Sequence, residues 1–374
     1  MGAGTNTSST VSDPPDYADI TQALLAWYHV HRRDLPWRAT TDPYRVWVAE
    51  IMLQQTRVPT VISYYHRFLQ AYPTVQALAG AALDEVLALW EGLGYYARAR
   101  SLHAASQMVQ ERHAGQVPPS LDELIALPGV GLYTAGALLS IAYGQDVLAL
   151  DANAIRVLCR LFDYAGDPSR AEGKEELRCY AEMLLPAGQA GAYNQAMMDL
   201  GSLVCFPRVP HCSECPLSAF CRARAAGTQE MRPLAKTRRQ VPHREFVALF
   251  CEREGEILIV RRIPQGLLGG LWELPGGEVQ PGEGDGLALA RLLQEGLGVQ
   301  VGGLQRVATV RHAYTHFGVT VRAYRCAIEG DPAPRRAWDA HHWLSAEEVA
   351  SYGLTGVTSR VLASAGWPES AAAL

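Results

Sequence analysis

The apolar residues of this chain change their spacing once, and that change limits the fold more than any other feature. From residue 18 to 225 they recur at intervals of three and four, the period of helices packed on one another. From about Arg244 they fall into short strand-like runs: Phe246 to Cys251, Ile257 to Arg261, Val307 to Arg311 and Val319 to Cys326. These surround one helical stretch at Asp285 to Leu297. Between the two patterns, residues 226–243 hold Gly227, Pro233 and Pro242 among basic residues and read as a linker. The spacing therefore predicts an all-α domain over 18–225 and an α+β domain over 244–368. Residues 1–17 and 369–374 are left as tails. A chain of 374 residues is too long for one ordinary core, which agrees with two domains.

Composition narrows the function classes. No apolar run is long enough to span a bilayer, and the polar first 17 residues lack both the basic start and the apolar stretch of a signal peptide. A cytoplasmic protein without a membrane partner is expected. The net charge of −5 argues against a broadly basic surface, so any nucleic-acid contact must be local. Of the eight cysteines, Cys205, Cys212, Cys215 and Cys221 crowd into 17 residues, whereas Cys159, Cys179, Cys251 and Cys326 are scattered and read as small core residues. Clustered cysteines in a cytosolic chain point to metal. Four thiolates can hold either zinc or an iron-sulfur cluster, and ligand count does not separate them.

Three local patterns carry chemistry. Ser120 and Glu123 form a capping-box pattern ahead of a short helix ending in Leu127-Pro128-Gly129-Val130-Gly131, and Leu132 to Tyr143 is helical again. Gly129 and Gly131 permit close backbone approach, the amides after them can hold a phosphate, and Ala135, Gly136 and Ala137 allow tight packing behind. The apolar run Val147 to Leu150, expected to be buried, then delivers Asp151 to the start of a helix over Ala152 to Phe162. Asp151 there is an N-cap. The positive helix end is expected to keep it ionised, and an ionised carboxylate beside a sugar stabilises an oxocarbenium ion. Finally, Asp42-Pro43 opens a helix running to Thr56, in which Glu50 interrupts the apolar stretch Val46 to Leu53. Desolvation should raise its pKa and suit it to donate a proton near neutrality.

Leu127-Pro128-Gly129-Val130-Gly131 followed by Asp151 resembles the helix-hairpin-helix DNA glycosylase superfamily, whose members extrude a nucleotide from the duplex. Trp37-Arg38 with Glu50-Ile51-Met52-Leu53-Gln54-Gln55-Thr56 resembles its MutY-type adenine glycosylases. The resemblance implies that Glu50 protonates adenine, that Asp151 faces the sugar cation, and that Asn153 and Tyr133 position groups nearby. Tyr133 stands where relatives that also cut the strand carry a lysine, so the resemblance implies base removal without strand cleavage. It further implies that Gln54 and Gln55 fill the space left in the duplex and that Tyr95, in Gly92-Leu93-Gly94-Tyr95-Tyr96-Ala97-Arg98, wedges beside the damaged base. The cysteine spacing of 6, 2 and 5 residues matches the [4Fe-4S] loop of the same superfamily, with Arg208 presented to phosphate.

The segment from Gly266 to Gly298 is similar to a Nudix box with its centre altered: Leu292 and Gly296 stand in place of two acidic residues, leaving a poor carboxylate set for Mg2+. His312-Ala313-Tyr314-Thr315-His316 resembles the segment with which MutY proteins read 8-oxoguanine, and implies that role for Tyr314, Thr315 and His316. The expected protein is thus a monomeric, nucleoid-associated glycosylase acting on duplex DNA with adenine opposite 8-oxoguanine or guanine. Competing readings are a glycosylase that also cleaves the strand, a Nudix hydrolase of oxidised nucleotides, and a noncatalytic iron-sulfur DNA sensor.

Overall fold

The computed structural model describes residues 17–234, 241–314 and 316–367. The first part is helical: α1 (Tyr17–His31), α2 (Pro43–Leu53), α3 (Val58–Ala71), α4 (Val75–Ala79), α5 (Leu83–Leu89), α6 (Ala97–Arg112), α7 (Leu121–Ile125), α8 (Leu132–Ala137), α9 (Ala152–Leu161), α10 (Ala171–Met183), α11 (Ala190–Leu203) and α12 (Arg222–Ala226). Eight strands follow among the described residues: β1 (His243–Phe250), β2 (Glu252–Arg253), β3 (Glu256–Arg262), β4 (Trp272–Glu273), β5 (Gly276–Glu278), β6 (Gln300–Ala313), β7 (Gly318–Glu329) and β8 (Trp338–Leu344). The helices α13 (Asp285–Leu297) and α14 (Gly356–Ser364) lie among and after them. The all-α then α+β order is therefore as the spacing predicts. Among the described residues no helix is long and apolar enough to cross a membrane.

The chain divides into two compact units. One comprises Met1–Ile51 and Val117–Thr237, the other Met52–Gln116 and Arg238–Leu374, so the helices of residues 52–116 group with the C-terminal half. In the first unit, α1, α9, α10 and α11 bury Leu24, Leu158, Leu177 and Leu200 in one core with Tyr28 and Tyr193. In the second, β1 lies between β5 and β7 in the order β5-β1-β7-β6, pairing parallel with β7. The other sheet runs β2-β3-β4, with β8 also on β3. Ala248 and Phe250 of β1 face one core and Val247 and Leu249 the other, the latter beneath Leu289 and Leu293 of α13. Burial on both faces explains why Phe246 to Cys251 reads as an unbroken apolar run.

Several local expectations change. Tyr17 belongs to α1 rather than to a tail, because its ring packs against Phe162 at 6.3 Å. The helix carrying Glu50 stops at Leu53, not Thr56, since Gln55 adopts a left-handed φ of 59°. Ser120 occupies the N-cap of α7 but makes no side-chain cap bond. The second hairpin helix leaves α-geometry after Ala137 for a π-helical turn over Leu138–Ala142. There Ser140 Oγ donates back to Gly136 O at 2.7 Å and accepts from Asn194 Nδ2 at 2.9 Å. Cys179 is exposed on α10, whereas Cys159, Cys251 and Cys326 are buried. In the interval read as linker, Gln229–Met231 forms a 3-10 turn and His243 already belongs to β1.

The altered Nudix box has a packing explanation. A Cβ on Gly296 would lie 2.3 Å from the Trp338 ring, and one on Gly277 would lie 2.8 Å from Leu292. Glu283 is held bidentately by Arg291 at 2.7 and 2.8 Å, and Glu295 pairs with Arg336 at 2.5 Å. An indole thus fills the space beside the helix where an acidic side chain would sit. Gly296→Glu is accordingly expected to destabilise the protein by about 1–3 kcal/mol, from overpacking, without creating Mg2+-dependent release of pyrophosphate from 8-oxo-dGTP. A thermal melt equal to that of the parent chain would contradict this.

Candidate active site

Glu50 sits on the buried side of α2, 5% exposed, between Ala49 and Ile51 that are themselves buried. Burial lifts its carboxyl to about 7, with the charge of Asp151 adding to the rise. A hydrogen bond from Tyr133 and the positive charge of Arg38 oppose it. Tyr133 Oη donates to Glu50 Oε2 at 2.6 Å and lies 3.6 Å from Met198 Sδ. Burial and the two neighbouring carboxylates push the phenol well above its ordinary range, so it remains a donor. With Oε2 engaged by that donor, Oε1 is the oxygen left to carry a transferable proton.

Asp151 is the N-cap of α9, its Oδ1 accepting from Ala154 N at 2.7 Å and its Oδ2 from Asn153 Nδ2 at 2.7 Å. Burial nevertheless outweighs these bonds and moves its pKa upward from the ordinary aspartate value. This corrects the expectation that the helix start decides its ionisation: the cap bonds do favour the anion, but desolvation is the larger influence. Asn153 is in turn fixed by Arg156 Nη2, which donates to its Oδ1 at 2.9 Å. Gly201 makes room for it, since a Cβ there would lie 2.6 Å from that of Asn153.

The chain leading to Asp151 is anchored by a residue the sequence did not reveal. Asn194 of α11, 1% exposed, accepts from Ala149 N at 3.1 Å and donates to Val147 O at 2.9 Å. Of the run Val147 to Leu150, Ala149 is buried and the others are partly exposed, which revises the expectation of a uniformly apolar burial. Hydrogen bonds to Asn194 hold it in addition to apolar contact. Behind it, a Cβ on Gly136 would meet Leu148 O at 2.0 Å, so the small residues after the hairpin do permit a close approach. Gly129 has φ 77°, and Gly131 is the extended N-cap of α8.

Asp199 is a second residue hidden from the sequence. Its carboxylate is fully buried and receives Arg33 Nε at 2.9 Å, Arg33 Nη2 at 2.5 Å and Arg38 Nη1 at 2.6 Å. Removing one partner of a buried pair strands the others. Asp199→Asn should therefore cost about 3 kcal/mol in urea unfolding, at the low end for buried pairs because the arginines are partly exposed. A loss below about 0.5 kcal/mol would contradict this.

The four clustered cysteines ring one pocket with Arg160, Pro210 and His211. Among the described residues, no group of three or more His, Cys, Asp or Glu is placed to hold a metal ion. Two buried arginines of α9 reach this loop. Arg156 Nε donates to Cys205 O at 2.9 Å, and Arg160 donates to Cys205 Sγ at 3.1 Å, Phe206 O at 2.6 Å and Pro207 O at 2.9 Å. Four thiols around one pocket, with a buried cation beside the Cys205 sulfur, are a donor set that fits a thiolate-bound group. Arg156 also links this loop to Asn153, and through it to Asp151. Arg208 is exposed.

In the other unit, Gln55 and Tyr95 are exposed, the latter at 44%, and Gln54 is half-buried. Tyr314 packs against His312 at 4.6 Å and Phe317 at 5.0 Å between ring centroids, and its N–H donates to Phe317 O. His316 is exposed, and Thr315 lies outside the described residues. Tyr314 and Phe317 also line a cavity of about 550 Å3 with Arg262, Glu273 and Trp338.

Residues 48–182 match the family of HhH-GPD superfamily base excision DNA repair proteins, and residues 246–364 match the NUDIX domain. Fold and site together define a helix-hairpin-helix base excision repair protein followed by a Nudix-like domain. Adenine DNA glycosylase of Rattus norvegicus is 36% identical over 403 residues, covering 92% of this chain and 78% of its own length. That of Homo sapiens is 36% identical over 405 residues, covering 92% and 74%. The chain belongs to the adenine DNA glycosylase family. Among solved structures, a thermostable thymine-DNA glycosylase is 30% identical with a TM-score of 0.53, covering 56% of this chain and 97% of that one.

Proposed function

We propose that this protein hydrolyses the N-glycosidic bond of adenine mispaired with 8-oxoguanine, or with guanine, in duplex DNA and leaves the strand uncut. Family membership supports the base and the bond. The observation that carries the mechanism is the buried Glu50 carboxyl, lifted to about 7 and bonded by Tyr133. Glu50 donates its proton to the adenine ring, and the glycosidic electron pair leaves with the base. Asp151, oriented by Asn153 and Ala154 N, faces the resulting sugar cation, and water supplies hydroxide to C1′ while its proton returns to a carboxylate. A tyrosine at position 133 offers no amine for a Schiff base, which supports hydrolysis without strand cleavage. We assign base removal to residues 18–225 and reading of the opposing base to residues 244–368, through Tyr314, Thr315 and His316. Gln54, Gln55, Tyr95, Gly129, Gly131 and Arg208 make the DNA contacts.

Cys205, Cys212, Cys215 and Cys221 are proposed to hold a [4Fe-4S] cluster, which when bound cross-links the loop presenting Arg208. Protein purified without oxygen should carry about four irons per chain, and Cys212→Ser should lose most of them. Stoichiometric zinc instead would overturn this assignment. The function is tested by single-turnover assays on duplexes with adenine opposite 8-oxoguanine, guanine and cytosine. Rapid release opposite the first two, with breakage appearing only after alkali, is the expected result. Intact adenine in all three duplexes would refute the reading, and a borohydride-trapped adduct would refute its monofunctional part.

A further inference from the structure

We propose that Arg98 is the positioning residue that locks the turns at Gln54–Gln55 and Gly94–Tyr95 into one rigid wedge for insertion into DNA. The inference rests on the reading that these turns enter the duplex, and it adds what holds them. One guanidinium serves both. Arg98 Nη1 donates to Met52 O at 2.8 Å and to Gln54 O, while Nη2 donates to Thr56 Oγ1 at 3.1 Å, Leu93 O at 3.3 Å and Gly94 O at 3.0 Å. Its charge lies 5.5 Å from the Trp90 ring centroid and 5.4 Å from that of Tyr95.

The turns need such a clamp. Gln55 at φ 59° and Tyr95 at φ 50° are both left-handed, a conformation that side chains other than glycine hold only when their surroundings impose it. Four backbone carbonyls turn inward to Arg98, and Gln55 and Tyr95 are left exposed. Other bonds brace the second turn: Trp90 Nε1 donates to Gly94 O at 3.1 Å, Tyr64 Oη to Glu91 O at 2.7 Å, and Ser359 Oγ of α14 to Glu91 Oε1 at 2.7 Å. None of these bonds reaches residues 52–56. Arg98 spans both segments because its planar fork carries donors pointing in several directions, which an ammonium on a lysine stem cannot reproduce.

The test uses the full-length, cluster-bearing protein and a duplex with 2-aminopurine beside the target adenine, whose fluorescence reports extrusion. Arg98→Lys should slow extrusion about tenfold or more while leaving binding to undamaged duplex within about threefold. Its effect should not multiply with that of Tyr95→Ala, because both act through one wedge. Thr56→Val, which removes one side-chain partner and keeps the arginine, should slow extrusion in the same direction and serves as the readout if Arg98→Lys fails to fold. Extrusion at the parental rate in the folded variants, or fully multiplicative effects, would overturn the proposal. Parental extrusion by Gln54→Ala, Gln55→Ala and Tyr95→Ala would instead overturn the underlying reading that these turns enter DNA.

Discussion

Glutamine in place of Glu50 is expected to slow adenine release about a thousandfold while DNA affinity is retained. The amide keeps the shape of the side chain and can still accept from Tyr133 Oη, so the loss isolates the proton. The pH dependence gives a second readout. Because the parent carboxyl is lifted to about 7, the Glu50 limb of the rate profile should fall about tenfold per pH unit above that pH. The same shift has a stability consequence of opposite benefit. Below pH 4.5 both folded and unfolded Glu50 are protonated, and nothing is lost. As pH rises from there through 7, the unfolded chain gives up a proton that the folded chain retains, so stability falls, by about 3 kcal/mol in full. Glu50→Gln should therefore melt higher than the parent at pH 8 and no higher at pH 4. A variant that releases adenine at the parental rate, or that melts lower than the parent at pH 8, would sink the assignment.

Asparagine in place of Asp151 should reduce release about a hundredfold to a thousandfold by removing the anion that faces the sugar cation. Asparagine is as good an N-cap as aspartate and can accept from Ala154 N, so the fold should survive, with stability changed by about 1 kcal/mol or less. Protonation of Asp151 removes that charge, and burial, by raising its pKa, moves this loss to higher pH than in an ordinary aspartate. The parent should then show a bell-shaped rate profile in which the acid limb reports mainly Asp151 and the alkaline limb mainly Glu50, the two titrating as a coupled pair. The acid limb should vanish in Asp151→Asn. Retention of that limb, together with parental rates, would exclude Asp151 from the chemistry.

Much of the fold was legible because its signals are local. The helical spacing before residue 226, the long strands β1, β3, β6 and β7 and the helix α13 each announce themselves over five residues or more. The two-residue strands β2 and β4 do not, and neither does β8, whose Trp338 to Leu344 includes two histidines and an aspartate and makes sense only as a partner of β3. Cys179 shows the same limit in one residue: chemically it suits a core, but on α10 it lies off the buried stripe of Gly173, Leu177 and Ala181.

By itself the sequence determined which residues could carry the chemistry: a carboxyl among apolar neighbours at Glu50, an aspartate opening a helix at 151, and four thiols within 17 residues. It determined them because residue type and helical period are written along the chain. Only the tertiary structure decided how those groups are tuned and held. Tyr133 reaches Glu50 across 83 positions of sequence, Asn194 anchors the chain before Asp151 across 45, and Asp199 gathers Arg33 and Arg38 across more than 160. The Asp151 pKa is the clearest case, since the cap bonds visible in the sequence favour the anion while burial outweighs them. Desolvation depends on everything packed around a group, and that is fixed by which distant segments meet rather than by the residues beside it.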